Sequence, residues 1–185
     1  MSLTPDAIRQ VATAERSRLA ALREWAAAYS GAHEEDPLLV HVALPMRDYY
    51  IVQFVKDHRT SGLMLIDAVS GKLGSVTRIE YAPDTVYRFL RPADIPPLVE
   101  RYARKRTTRD DTLSLGQRPP DLPDDVRAGD VTVHPVLYWE PCDQSVTPFY
   151  PLYRVEYSGP NGAARFLVRV DGEIFTEITT GGRGL

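Results

Sequence analysis

Twice along this chain an apolar pattern recurring every three to four residues gives way to short alternating runs of Val, Ile, Leu and aromatic residues, the signature of a helix followed by strands. In the first instance Ile8, Val11, Ala12, Leu19, Leu22, Ala26 and Tyr29 share one stripe, while Arg9, Arg16, Arg18, Arg23 and Glu24 fill other positions. Thr4 suits the N-cap, Pro5 the first helical position and Asp6 the positive end of the dipole, and Gly31 ends the pattern. Strand-like runs then cover 38–44, 49–56 and 62–67, with a fourth at 72–81 after the turn sequence Ala68-Val69-Ser70-Gly71. Their short connections predict antiparallel pairing against a helix that buries Leu19, Leu22 and Tyr29.

The second instance begins at residue 82. Val86, Phe89 and Leu90 suggest a short helix, and Ile95, Leu98, Val99, Tyr102 and Ala103 a longer one, with Asp94 as cap and Pro96 and Pro97 in the first turn. A polar, proline-rich and acidic stretch reaches residue 130, and strand patterning resumes at 131–139, 149–157, 163–171 and 173–179. The last pair turns on Asp171-Gly172. Phe166, Val168 and Val170 are predicted to face the core, while Arg165 and Arg169 face water, and Arg154, Arg165 and Arg169 share a wet face with Glu156 and Glu177 and pair with them across strands. Laid over each other, the halves match in order, with Tyr49 and Phe149 opening equivalent strands and Gly71 and Gly172 in equivalent turns. The expected class is α+β, two helix-plus-curved-antiparallel-sheet halves in tandem. The first repeat spans 1–81, a helical segment and connection span 82–130, and the second repeat's sheet spans 131–185 with its helix supplied by 82–106.

The charge balance narrows the partners. A net charge of -3 gives no long-range field drawing the chain to nucleic acid or anionic lipid. The run Arg101, Arg104, Lys105, Arg106 and Arg109 reads as a solvated helix end, because Asp110, Asp111, Asp121, Asp124 and Asp125 follow closely. No apolar run approaches the roughly 20 residues of a membrane helix, and the single cysteine, Cys142, forms no disulfide within the chain, so a reducing cytoplasm is expected. The preference for 19 Arg over 3 Lys reads as codon bias of a high-GC bacterial genome, not as an adaptation.

The segment Asp48-Tyr49-Tyr50-Ile51-Val52-Gln53-Phe54, and especially Leu65-Ile66-Asp67-Ala68-Val69-Ser70-Gly71-Lys72-Leu73, resembles the PepSY-like and cystatin-like modules, with a weaker echo in Arg169-Val170-Asp171-Gly172-Glu173-Ile174. The resemblance covers about 40 residues of each half. It implies a helix packed across a bent antiparallel sheet, and a role in binding or restraining peptidases, with no catalytic residues to carry over.

Chemistry has few footholds. Cys142 lies between predicted strands, and His33, His41, His58 and His134 are the only candidate bases. Eight residues of extended chain from His134 span roughly 26 Å, at about 3.3 Å each, which places no base beside the sulfur. Glu140 and Asp143 flank it and disfavour the thiolate. No cysteine or histidine spacing matches a metal site, and no cofactor motif is present. Trp139, Phe149, Tyr150 and Tyr153 make the second half aromatic, while Pro141, Pro148 and Pro151 stiffen the loop among them. The expectation is a non-enzymatic module that binds a protein or peptide through these aromatics. One alternative is a small-molecule-binding or catalytic cleft between sheet and helix, with Trp139, Tyr150 and Cys142 near its mouth. The other is a scaffold or regulatory subunit forming a homodimer through its sheets.

Overall fold

Thr4 begins the first helix as its sequence suggests, its side-chain oxygen accepting the Ala7 N–H at 3.3 Å with Pro5 and Asp6 in the first turn. The computed structural model describes residues 2–43, 47–79, 89–106 and 122–176. The chain forms two compact units, Met1–Phe89 and Leu90–Leu185. Within them lie α1 (Pro5–Ala20), α2 (Ala26–Tyr29), β1 (His33–Glu34), β2 (Leu38–Val42), β3 (Tyr49–Lys56), β4 (Arg59–Asp67) and β5 (Leu73–Arg78), then α3 (Ile95–Arg106), β6 (Val131–Val133), β7 (Leu137–Trp139), β8 (Leu152–Gly159), β9 (Gly162–Arg169) and β10 (Ile174–Phe175). The class is mixed helix and antiparallel sheet, as expected.

In the first unit β3, β4 and β5 form an antiparallel meander, and β1 and β2 both pair with the other side of β3. Ile8, Ala12 and Leu19 of α1 and Ala28 and Tyr29 of α2 pack on Tyr50, Val52, Phe54, Met64 and Ile66, one face of that meander. The expected single helix through Tyr29 is in fact two. After Ala20 the bonds Leu22 N–H to Leu19 and Trp25 N–H to Leu22 tighten to three-residue spacing, which turns the stripe and leaves Leu22 40% exposed. Leu22 is therefore a surface residue, whereas Leu19 and Tyr29 are core. Arg16 and Thr13 of α1 hold Glu34 of β1. Burial resists the Glu34 charge, yet the Thr13 hydroxyl and the Arg16 guanidinium keep its carboxyl below the usual range.

The β3–β4 hairpin turns on Asp57 and His58, both in the left-handed region at φ 51° and 60°. The second strand accordingly starts at Arg59, three residues before the expected Gly62. Asp57 and His58 carry the turn without the glycine that would have advertised it.

In the second unit α3 follows a short 3-10 turn at Pro92–Asp94, where Asp94 accepts the Arg91 N–H at 2.9 Å. Phe89 and Leu90 are not helical, and Val86 lies outside the described residues. The expected strand 131–139 is broken into β6 and β7, both paired with β8. Its partners shift from Val133↔Val155 to Tyr138↔Leu152, so the chain around Pro135 inserts two extra residues, a bulge larger than the usual single insertion. β8, β9 and β10 form a second antiparallel meander. Tyr153, Val155, Tyr157, Phe166, Val168 and Val170 are buried on one face, while Arg154, Glu156 and Arg165 are exposed on the other.

Register corrects the matching of the halves. Tyr49 pairs with Asp67, the last residue of β4, and Leu152 pairs with Arg169, the last residue of β9. Leu152, not Phe149, is the counterpart of Tyr49 by this measure. Phe149 lies in a turn closed by the Tyr150 N–H to the Thr147 carbonyl, and Pro151 next to it has no N–H to give to a ladder. Gly71 and Gly172 lie in turns of different length, the first bonding four residues back and the second three. Each has positive φ and donates to the carbonyl of the last residue of its strand, Asp67 or Arg169.

The tightest packing in the first unit is a tyrosine laid on a glycine. Tyr29 is 1% exposed, donates its hydroxyl to the Thr77 carbonyl at 2.8 Å and meets Phe54 edge-on at 5.1 Å. A Cβ at Gly62 would stand 2.7 Å from both Cζ and the hydroxyl of Tyr29. Gly62→Ala is expected to cost about 1–3 kcal/mol by overpacking, and Tyr29→Phe about 1 kcal/mol for the lost hydrogen bond. Urea unfolding measures both, and a Gly62→Ala protein as stable as wild type would disprove the packing argument.

Candidate functional site

Cross-strand partners share a face, so Tyr138 and Leu152 lie on one side of the second sheet and their neighbours Trp139 and Tyr153 on the other. The four aromatics singled out by sequence are thus not one patch. Trp139 is 6% exposed, and its indole N–H has no hydrogen-bond partner among the described residues. Tyr153 is fully buried and donates its hydroxyl to the Leu90 carbonyl at 3.1 Å, with burial pushing its phenol well above the ordinary range. Phe149 and Tyr150 are half-buried in the loop between β7 and β8.

That loop is irregular but closely tied. Cys142 and Ser145 exchange backbone hydrogen bonds at 3.3 and 3.1 Å, and the Ser145 hydroxyl donates to the Tyr150 carbonyl at 2.6 Å. The Phe149 N–H donates to the Thr147 hydroxyl oxygen at 3.1 Å. At the loop's end the Val170 N–H donates to the Pro151 carbonyl, stitching it to the β9–β10 turn. Beneath it Cys142, Leu152 and Phe175 form a small core with Leu167 against it. Gln144 and Ser145 are buried, yet Val146 beside them is 79% exposed.

Arg169 holds the arrangement together. Its Nε and Nη2 donate to the two carboxylate oxygens of Asp171 at 2.8 and 2.7 Å, Nη2 lies 2.9 Å from Glu173, and Nη1 donates to the Gln144 carbonyl at 2.7 Å. The guanidinium also lies 5.2 Å from the Tyr150 ring centroid and 5.7 Å from that of Phe175. Burial works against the charge, but the Asp171 bonds and the charges of Asp171 and Glu173 hold the group above its ordinary range. Arg169 was expected in water with a cross-strand acid. Its side chain is only 18% exposed, because the loop folds over this end of the sheet face. Arg165 does form the expected cross-strand pair, 2.9 Å from Glu156, while Glu177 lies outside the described residues.

Cys142 is a free, buried thiol. Burial pushes its pKa up, the backbone N–H groups of Ser145 and Gln144 oppose that, and the charges of Glu140 and Asp143 add to the rise. The His134 ring meets the Val136 backbone at 3.4 Å in the β6–β7 bulge. The described residues contain no group of three or more His, Cys, Asp or Glu placed to hold a metal ion, and no helix long and apolar enough to cross a membrane. On α3, Arg104 pairs with Glu100 and Arg101 donates to the Pro97 carbonyl, as befits a solvated helix side. The side chains of Lys105 and Arg106, and residues 107–121, lie outside the described residues.

Sequence reasoning placed Arg169 on the wet face and missed its role at the loop, and it passed over Val146. Acids two and four positions after Arg169, across a tight turn, were the available signal for the first. A β-branched apolar residue between Ser145 and Thr147-Pro148 was the signal for the second.

Two outcomes follow from this geometry. Arg169→Ala should lower stability by about 1–3 kcal/mol, through loss of charge-assisted hydrogen bonds, and speed hydrogen exchange at the Ser145 and Tyr150 amides; unchanged exchange there would contradict the role given to the arginine. Cys142 should alkylate more slowly at pH 8 than a free cysteine in a short peptide, because its raised pKa leaves less thiolate. Stability tied to that thiol is fully present below the unfolded value of about 8.5 and falls as pH rises from there through the folded value. Alkylation as fast as the peptide control would sink this assignment.

Compared with known proteins, the chain matches no described family, no curated protein and no solved structure.

Proposed function

We propose that this chain is a non-enzymatic module that binds a protein or peptide, with the β7–β8 loop as its contact surface. The observation that carries the reading is Val146, an apolar side chain 79% exposed on a loop whose neighbouring residues, Gln144 and Ser145, are buried and hydrogen-bonded. A preformed loop loses little conformational freedom when it meets a partner, and an exposed apolar residue at its tip gains most from being covered. Phe149 and Tyr150 flank the contact, while Trp139 and Tyr153 act from beneath as support.

The same proposal takes the two units as related halves of a tandem. Each has a helix, an interrupted strand and a three-strand antiparallel meander, and the interruptions at Pro37 and Pro135 fall on the strand that pairs with the meander's first member. On the PepSY-like and cystatin-like resemblance, a peptidase is one partner class to test, and a cytoplasmic setting agrees with the unpaired cysteine. The buried Cys142, whose thiolate is disfavoured, speaks against thiol catalysis here.

A photo-crosslinking residue placed at 146, and separately at the exposed Ser158 of β8, tests the reading in the source cell. The expected result is a discrete adduct from 146 that is absent from 158 and weakened by Arg169→Ala. Identical adducts from both positions, or none from 146, would remove the loop as a contact surface.

A further inference from the structure

Beside the loop, the solvent-facing side of the second sheet holds a concavity of about 310 Å³ lined by Arg154, Glu156, Arg165, Leu167 and Thr176, with Val155 and Phe166 behind them. Leu167 links the two features, since it also packs on the cluster of Cys142, Leu152 and Phe175 under the loop. Arg154 is exposed, and its guanidinium carbon lies over the Tyr138 ring, 4.4 Å from the centroid. A guanidinium held over a ring by cation–π attraction still has N–H donors to bind elsewhere. The nearby carboxylates are already engaged. Glu140 accepts the Tyr138 hydroxyl at 2.6 Å, and Glu156 sits 2.9 Å from Arg165.

We infer that Arg154 receives a carboxylate from the bound peptide, an Asp or Glu side chain next to an apolar residue that covers Leu167. This rests on the peptide-binding reading above and adds the partner's chemistry. A planar guanidinium matches a carboxylate with two parallel hydrogen bonds. A concavity near the lower end of ligand-site volumes suits one or two side chains.

An array of short synthetic peptides containing Leu-Glu or Val-Asp, each matched by its Leu-Gln or Val-Asn counterpart, tests this with wild type, Arg154→Gln, Arg154→Lys and Val146→Asp proteins. Circular dichroism melting first establishes that each is folded. Wild type is expected to prefer acidic peptides over their amides at least tenfold, Arg154→Gln to lose that preference, and Arg154→Lys to keep part of it. The inference is overturned if Arg154→Gln retains the preference, if acid and amide peptides bind alike, or if free N-acetylglutamate binds as well as any peptide. Should wild type retain no peptide, it falls as well, and the crosslink from 146 alone then decides the parent reading. Loss of all binding in Val146→Asp alongside an unchanged preference in Arg154→Gln would leave the loop as contact surface and remove only Arg154.

Discussion

A mostly buried guanidinium is stable in a protein only when its donors meet acceptors arranged around its plane, since desolvating the charge otherwise costs several kcal/mol. Arg169 meets that demand with three acceptors from two separate stretches of chain, the Gln144 carbonyl of the loop and the carboxylates of Asp171 and Glu173. The requirement works in both directions. The arginine needs the loop carbonyl as much as the loop needs the arginine, so the β7–β8 loop and the β9–β10 turn are specified together. Leu152 and Phe175 are covered as a result, and the sheet face divides into a covered end and an open end where Arg154 and Arg165 stand.

Much of this fold was legible in the residues. Thr4-Pro5-Asp6 marked the start of α1, a continuous apolar run marked β3, alternation marked β8 and β9, and the inward placement of Phe166, Val168 and Val170 followed from Arg165 and Arg169 at alternate positions. The misreadings share a cause: local conformation was inferred from residue types that usually signal it. Leu22 continued the helical stripe, but the tightened turn after Ala20 changed the geometry without any glycine or proline to announce it. Asp57 and His58 adopt a left-handed conformation that glycine takes most readily and that Asp and His take only occasionally. Phe149 looked like the first residue of a strand, because β propensity does not reveal which backbone groups a turn will use.

The candidate site was less legible, for a different physical reason. Aromatic content located the region but not the roles, since a strand sends successive side chains to opposite faces and a loop can send them to either. Trp139 and Tyr153 went beneath the sheet, Phe149 and Tyr150 to the loop. The interactions that shape the surface are long-range in sequence. Arg169 reaches Gln144 across 25 positions, and no local window of sequence contains such a pair.

The tip of the loop is loosely coupled to everything that keeps the protein folded. Val146 is almost wholly in solvent, while the bonds that set the loop's path belong to Cys142, Gln144, Ser145 and Tyr150. Residue 146 can therefore change in size, charge or shape across generations with little penalty in folding. On the proposed reading, selection on the identity of a partner and selection on the integrity of the scaffold act on separate residues, so recognition can diversify while the framework stays constant.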